Sequence, residues 1–96
     1  MKLMNKNLQQ LRNQIDAIDK EIVTLVSDRL RVALDIAMLK KGGHLPVFNQ
    51  SRERQVIEQV FSHARFKKLD TAFVTRMFRI IINESRRLQK GIVNGK

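Results

Sequence analysis

Apolar residues recur along the first part of the chain in alternating steps of four and three: Leu11, Ile15, Ile18, Ile22 and Leu25, then Val32 and Ile36 once Arg29 is counted as the step between them. This is the repeat of one helix face, and no Pro or Gly interrupts it from Leu8 to Leu39. A single long helix is predicted. At 1.5 Å per residue it extends about 50 Å, more than a chain of this size can bury within itself, so much of the seam is expected to pack on a second copy.

Lys41-Gly42-Gly43-His44-Leu45-Pro46 supplies the stop. The glycines are suited to a left-handed cap, and Pro46 biases the residue before it away from helix, so a mobile connection is expected. Asn49 or Ser51 can cap a second helix whose apolar set is Val56, Ile57, Val60, Phe61 and Ala64, ending near Arg65 to Lys68. Asp70 is suited to cap a third, with Val74, Met77, Phe78, Ile81, Ser85 and Leu88 facing inward and Gly91 to Lys96 as a fraying tail. The class is all-α, in one domain over residues 1–96.

Composition narrows the chemistry. The chain has 96 residues, 43 % of them apolar, with five Phe but no Trp or Tyr, in keeping with aliphatic helix seams. Without Cys there is no disulfide, thiolate nucleophile or Cys-rich zinc site, and His44 and His63 have no acid at ligand spacing. Lys and Arg outnumber Asp and Glu by 19 to 9, a net charge of +10 that attracts anions of any size. Nucleic acid is the general expectation for so basic a small chain, with acidic metabolites and membrane surfaces as the other claimants. Met1 to Leu11 is polar and lacks the apolar run of a signal peptide or membrane span, so a cytoplasmic location is expected.

Several polar residues then stand where the apolar pattern runs inward. Arg29 fills a seam position, and a buried guanidinium needs a partner; it either reaches solvent, pairs with Asp28 or Asp35, or holds an anion. Lys40 follows eleven residues later, about 20° away after three turns, so both cations share a face. Arg12 points roughly 100° away from Arg29 and would serve a different pocket, that of a partner subunit. Ser85 and Gln89, four residues apart, stack a hydroxyl and a carboxamide on one face of the third helix. Each has an ordinary alternative, a bond from Ser85 back to the carbonyl of Ile81 and solvent at the chain end for Gln89. Arg52 and Glu53 open the second helix inside the charged run Ser51 to Arg54, which a solvated first turn explains as well as a site does.

Taken together, these positions resemble the all-helical class of chorismate mutases, the short single-domain form with three helices in an intertwined homodimer. The similarity runs from Leu8 to about Gln89. It is carried by Leu11-Arg12 with Ile15, Ile18-Asp19 and Ile22; Arg29 followed by Lys40; Pro46-Val47 before Arg52-Glu53-Arg54; and Leu69-Asp70 leading to Ile81-Ile82, Ser85 and Gln89.

The resemblance implies rearrangement of chorismate to prephenate without cofactor or metal, in sites shared between subunits. Arg12 from one chain and Arg29 from the other would hold the two carboxylates of a dianionic substrate, with Ser85 donating to one. Lys40 and Gln89 would meet the ether oxygen of the bond that breaks. Glu53 would accept from the ring hydroxyl, with Arg52 in the same wall. Asn49 stands where relatives often carry an acid facing that hydroxyl, Arg86 stands where an apolar wall residue is common, and Lys41-Gly42-Gly43 loosens the loop. No nucleic acid or membrane is implied as a partner. The alternatives are a mutase acting on 4-amino-4-deoxychorismate, motivated by Asn49; an isochorismate-pyruvate lyase; a non-catalytic relative; and a basic helical nucleic-acid-binding protein using Arg86, Arg87 and Lys90.

Overall fold

A computed structural model describes residues 7–95, so residues 1–6 of the polar N-terminal stretch and Lys96 of the expected tail lie outside the described residues. Three helices account for most of the rest, α1 over Leu8–Gly43, α2 over Gln50–Phe66 and α3 over Thr71–Val93, with no strand among the described residues. None of these helices is long and apolar enough to cross a membrane. The chain divides within α1 into two compact units, one through Leu30 and one from Arg31 onward.

The first unit holds the greater part of α1. Its start is fixed reciprocally: Asn7 Oδ1 accepts from the Gln10 amide at 2.8 Å, and Gln10 Oε1 accepts from the Asn7 amide at 3.0 Å. This arrangement satisfies two donors that a helix start leaves open. Leu11, Ile15, Ile18, Ile22 and Leu25 are all exposed, from 43 % to 65 %.

The second unit contains the end of α1 with α2 and α3, and the latter two pack against each other. Its buried apolar residues are Ala33, Ala37, Val56, Ala64, Val74 and Ile82, and no large side chain is fully buried among the described residues. Within α2, Val56 and Ala64 are buried and Ile57 and Val60 half-buried, whereas Phe61 is exposed. On α3 the inward line runs through Val74, Phe78, Ile82, Ser85 and Gln89, with Ile81 and Leu88 on its flanks and Met77 outside. Ile81 and Ile82 are adjacent, 100° apart, and the second is the more buried.

The end of α1 differs from what glycine placement predicts, whereas α2 ends at Phe66, within the expected stretch. α1 runs through Gly42 and Gly43, and the left-handed residue is His44, at φ 57°. Leu45 N–H donates to the Lys40 carbonyl at 2.8 Å and His44 N–H to that of Lys41 at 3.3 Å, so the closing bonds set the position of the turn. α2 closes in the same way, Leu69 to Ala64 at 2.9 Å and Lys68 to Arg65 at 3.0 Å, with Lys68 at φ 61°. At the other end of the chain α3 passes through Gly91 to Val93 instead of fraying, because Ile92 and Val93 are half-buried and continue its apolar face.

The two predicted N-caps form. Asn49 Oδ1 accepts from the Arg52 amide at 3.0 Å, and Asp70 Oδ1 from that of Ala72 at 3.0 Å. Asp70→Ala leaves a first-turn amide without its protein acceptor and is expected to lower unfolding free energy by about 1 kcal/mol, read from urea denaturation.

Candidate active site

Within the second unit, the last turns of α1 carry small residues on their inner face. Ala33, Ala37 and Lys40 lie on one side of the helix, Ala33 and Lys40 being seven residues and so two turns apart. With only methyl groups at 33 and 37, a side chain from α3 can reach the backbone. Gln89 does so, its Nε2 donating to the Ala33 carbonyl at 2.7 Å while the residue is 8 % exposed. That carbonyl has a second lone pair for the bond of the helix itself, and the carboxamide keeps a second N–H. Solvent at the chain end, the ordinary explanation for Gln89, is therefore excluded. Ser85, one turn earlier on the same face, is equally buried.

At the end of α1, Lys40 is half-buried and its Nζ donates to the Val47 carbonyl at 2.7 Å. This bond ties the ammonium to the loop after Pro46 and fixes one of three N–H groups, leaving two. The connection that the sequence suggested was mobile is thus bonded at Val47 to the Lys40 ammonium.

The beginning of α2 supplies three of the predicted residues, in different settings. Asn49 is committed through Oδ1 to capping the helix. Arg52 is exposed and donates from Nη1 to Gln55 Oε1 at 2.7 Å, along its own helix. Glu53 is half-buried and turned toward α3, where Arg86 grips it with both arms, Nη2 to Oε1 at 2.5 Å and Nε to Oε2 at 3.2 Å. The Arg86 guanidinium also lies over the Phe48 ring, 4.5 Å from its centroid, so loop, α2 and α3 meet at one charged group. Sequence reading missed this assembly. Its members are Phe48, Glu53 and Arg86; the sequence marked Arg86 as a charge where an apolar wall residue is common, but not its pairing with Glu53.

Lys40, Glu53, Ser85 and Gln89 are thus all turned inward or half-buried in one compact unit, whereas Arg52 is turned outward. Arg12 and Arg29 belong to the first unit, Arg12 exposed and Arg29 half-buried. Two of the three cations behind the nucleic-acid alternative, Arg86 and Arg87 but not Lys90, are seen in ion pairs. Arg86 is paired with Glu53, and Arg87 donates to Glu84 at 2.7 and 2.9 Å. These bonds, with the adjacent positive charge, hold the Glu84 carboxyl below its ordinary range. Among the described residues no three His, Cys, Asp or Glu are grouped so as to hold a metal ion.

Replacing Gln89 by Leu removes one buried hydrogen bond while the Ala33 carbonyl retains its helical partner. The expected loss is about 1 kcal/mol in chemical denaturation, with helicity unchanged by circular dichroism.

Comparison with known proteins adds an independent finding. The family described as chorismate mutase type II matches residues 11–90. A bifunctional chorismate mutase/prephenate dehydratase of Enterobacter agglomerans is 31 % identical over 83 residues, covering 86 % of this chain and 21 % of the relative. The protein of the same name from Buchnera aphidicola subsp. Schizaphis graminum is 34 % identical over 88 residues, covering 92 % and 23 %. The chain therefore spans about a fifth of the length of these bifunctional relatives. A chorismate mutase of Methanocaldococcus jannaschii is 28 % identical over 87 residues, with 91 % of this chain and 88 % of that protein covered.

Proposed function

The chain belongs to the type II chorismate mutase family, and from that premise we propose that it rearranges chorismate to prephenate in sites built by two copies of itself. The observation that carries the reading is the buried, neutral carboxamide of Gln89, anchored on the Ala33 backbone with an N–H to spare.

The reaction is a concerted shift. The bond from the ring to the ether oxygen breaks as a carbon–carbon bond forms, with no proton transferred and no nucleophile needed. Catalysis then consists of folding an extended dianion into a compact conformer and stabilising negative charge as it grows on the ether oxygen. Gln89 donates to that oxygen from one side and Lys40 from the other. Both are held by backbone carbonyls before substrate arrives, which lowers the cost of ordering them during the reaction. Arg29 and the partner's Arg12 hold the two carboxylates, and Ser85 donates to one of them. Glu53 accepts from the ring hydroxyl, with Asn49 and Arg52 at the rim. The net charge of +10 draws the dianion in.

In the same reading residues 1–96 act as one mutase domain, and the partner is a second copy laid along the α1 seam to form an intertwined homodimer. Support comes from Ile15, Ile18, Ile22 and Leu25, each at least half exposed at heptad spacing, and from a core in which Ala33, Ala37 and Ala64 are half of the buried apolar residues. Neither a nucleic acid nor a membrane enters this scheme, no cofactor or metal is called for, and the cytoplasm is the compartment it suits. The pairing of Arg86 and Arg87 with acids weakens the nucleic-acid alternative, which needs those cations for phosphate.

Direct measurement of chorismate loss and prephenate appearance tests the activity, and a purified dimer without turnover would overturn it. Arg29→Ala and Lys40→Ala are each expected to reduce kcat/KM by roughly 100-fold or more, the scale of losing one fixed donor, with the helical dimer intact by circular dichroism and sedimentation. Mixing Arg12→Ala and Arg29→Ala proteins is expected to restore activity after subunit exchange, since a mixed dimer holds one intact site. Gln89→Glu must be protonated before it can donate, so its activity is expected to appear only as pH falls, whereas the native amide works across the neutral range.

A further inference from the structure

We propose that Arg86 is a specificity-determining residue that makes the site accept a neutral hydroxyl, and reject an ammonium, at the ring position facing Glu53. The inference rests on the mutase reading above and deepens it by naming the substrate class.

The argument begins with the carboxylate of Glu53. Alone, a half-buried anion at the substrate's ring would attract a cationic substituent more strongly than a hydroxyl. Here it is not alone. Arg86 donates to both of its oxygens, so the pair carries no net charge, and each oxygen retains lone-pair capacity for one more donor. The guanidinium cannot swing away readily, because the Phe48 ring lies against its face at 4.5 Å and only 31 % of the Arg86 side chain is accessible. An ammonium bonded to Glu53 would sit close to a fixed cation in a partly dry setting, and would give up its hydration for an acceptor whose charge is already offset.

Asn49 biases the site in the same direction. It lies one turn before Glu53, whose amide donates to the Asn49 carbonyl at 3.0 Å. Its side-chain oxygen is used by the Arg52 amide, which identifies the remaining end of the carboxamide as a donor. A hydroxyl can donate to Glu53 and accept at its own oxygen, whereas an ammonium has only donors. An acid at position 49 would draw an ammonium by its charge; neutral Asn49 does not, so neither it nor the Glu53–Arg86 pair offers an ammonium net negative charge.

The test is competition between chorismate and its 4-amino-4-deoxy analogue, with kcat and KM measured separately for the native protein, Arg86→Gln and Arg86→Lys. Native protein is expected to favour the hydroxy substrate by at least about tenfold in kcat/KM, since like charges held close cost more than one factor of ten. Arg86→Gln, which keeps hydrogen-bonding capacity toward Glu53 without the charge, is expected to shrink that ratio by about tenfold, mostly through KM for the amino substrate. Arg86→Lys retains the charge and is expected to retain the preference. Equal turnover of both substrates by native protein overturns the proposal before any variant is made. A ratio unchanged in Arg86→Gln also overturns it, and reduces Arg86 to a packing residue. Absence of turnover with either substrate removes the mutase reading, and the proposal with it.

Discussion

The apolar edge of α1 imposes the constraint from which the rest follows. A helix of 36 residues presents Leu11, Ile15, Ile18, Ile22, Leu25, Val32 and Ile36 on one line, and all seven are exposed in a single chain. Burying a large aliphatic side chain is worth about 1.5–3 kcal/mol, so leaving such a row in water would cost the fold a sum comparable to the whole stability of a small domain. The interior of the second unit cannot make up the difference, since it is lined mainly by alanine and valine. Association along this edge, as proposed above, would bury the row and let the fold draw on it for stability.

The alanines have a second effect, on polar chemistry. Small side chains at 33 and 37 let α3 bring a carboxamide against the backbone of α1, in a place where water is largely excluded. A donor there is oriented by the fold and strengthened by its surroundings. Lys40 is steadied in a comparable way by the Val47 carbonyl. One is a neutral donor and the other a cation, in keeping with the proposed rearrangement, which develops negative charge and moves no proton. Glu53 and Arg86 follow different logic: two opposite charges cancel, which in the proposed reading leaves shape and hydrogen-bond polarity to discriminate where net charge would not.

Local features were the most legible in the sequence. The α1 helix and the cap at Asp70 depend on residues within a few positions of one another and form as read, and of the two candidate caps for α2, Asn49 and Ser51, the structure takes Asn49. The reciprocal cap of Asn7 and Gln10 has the same local character and was available to a reader who looked for it. Helix ends were harder. Gly42 and Gly43 have the conformational freedom for a stop, but the closing bonds place the left-handed residue at His44, and Gly91 stays helical because Ile92 and Val93 still have something to cover. The facing of α3 was read one residue off at Ile81 and Ile82, where adjacent apolar side chains leave periodicity undecided. Gln89 and Ser85 were visible as polar residues on an apolar line, yet burial alone separates an oriented donor from a solvated end. The Glu53–Arg86 contact joins residues 33 positions apart on different helices, and no spacing rule could have shown it.

The anchoring of Gln89 on a main-chain carbonyl also bears on how this site tolerates change over generations. A side-chain acceptor can be lost by any single substitution at its own position, but every amino acid brings the same carbonyl to position 33. On the α1 side the bond is therefore exposed to change in bulk alone: glycine or serine at 33 would leave room for the carboxamide, and a branched or aromatic residue would push it out. Position 33 is thus expected to be restrained by volume rather than by chemistry, with the carboxamide held for as long as the residues at 33 and 37 stay small.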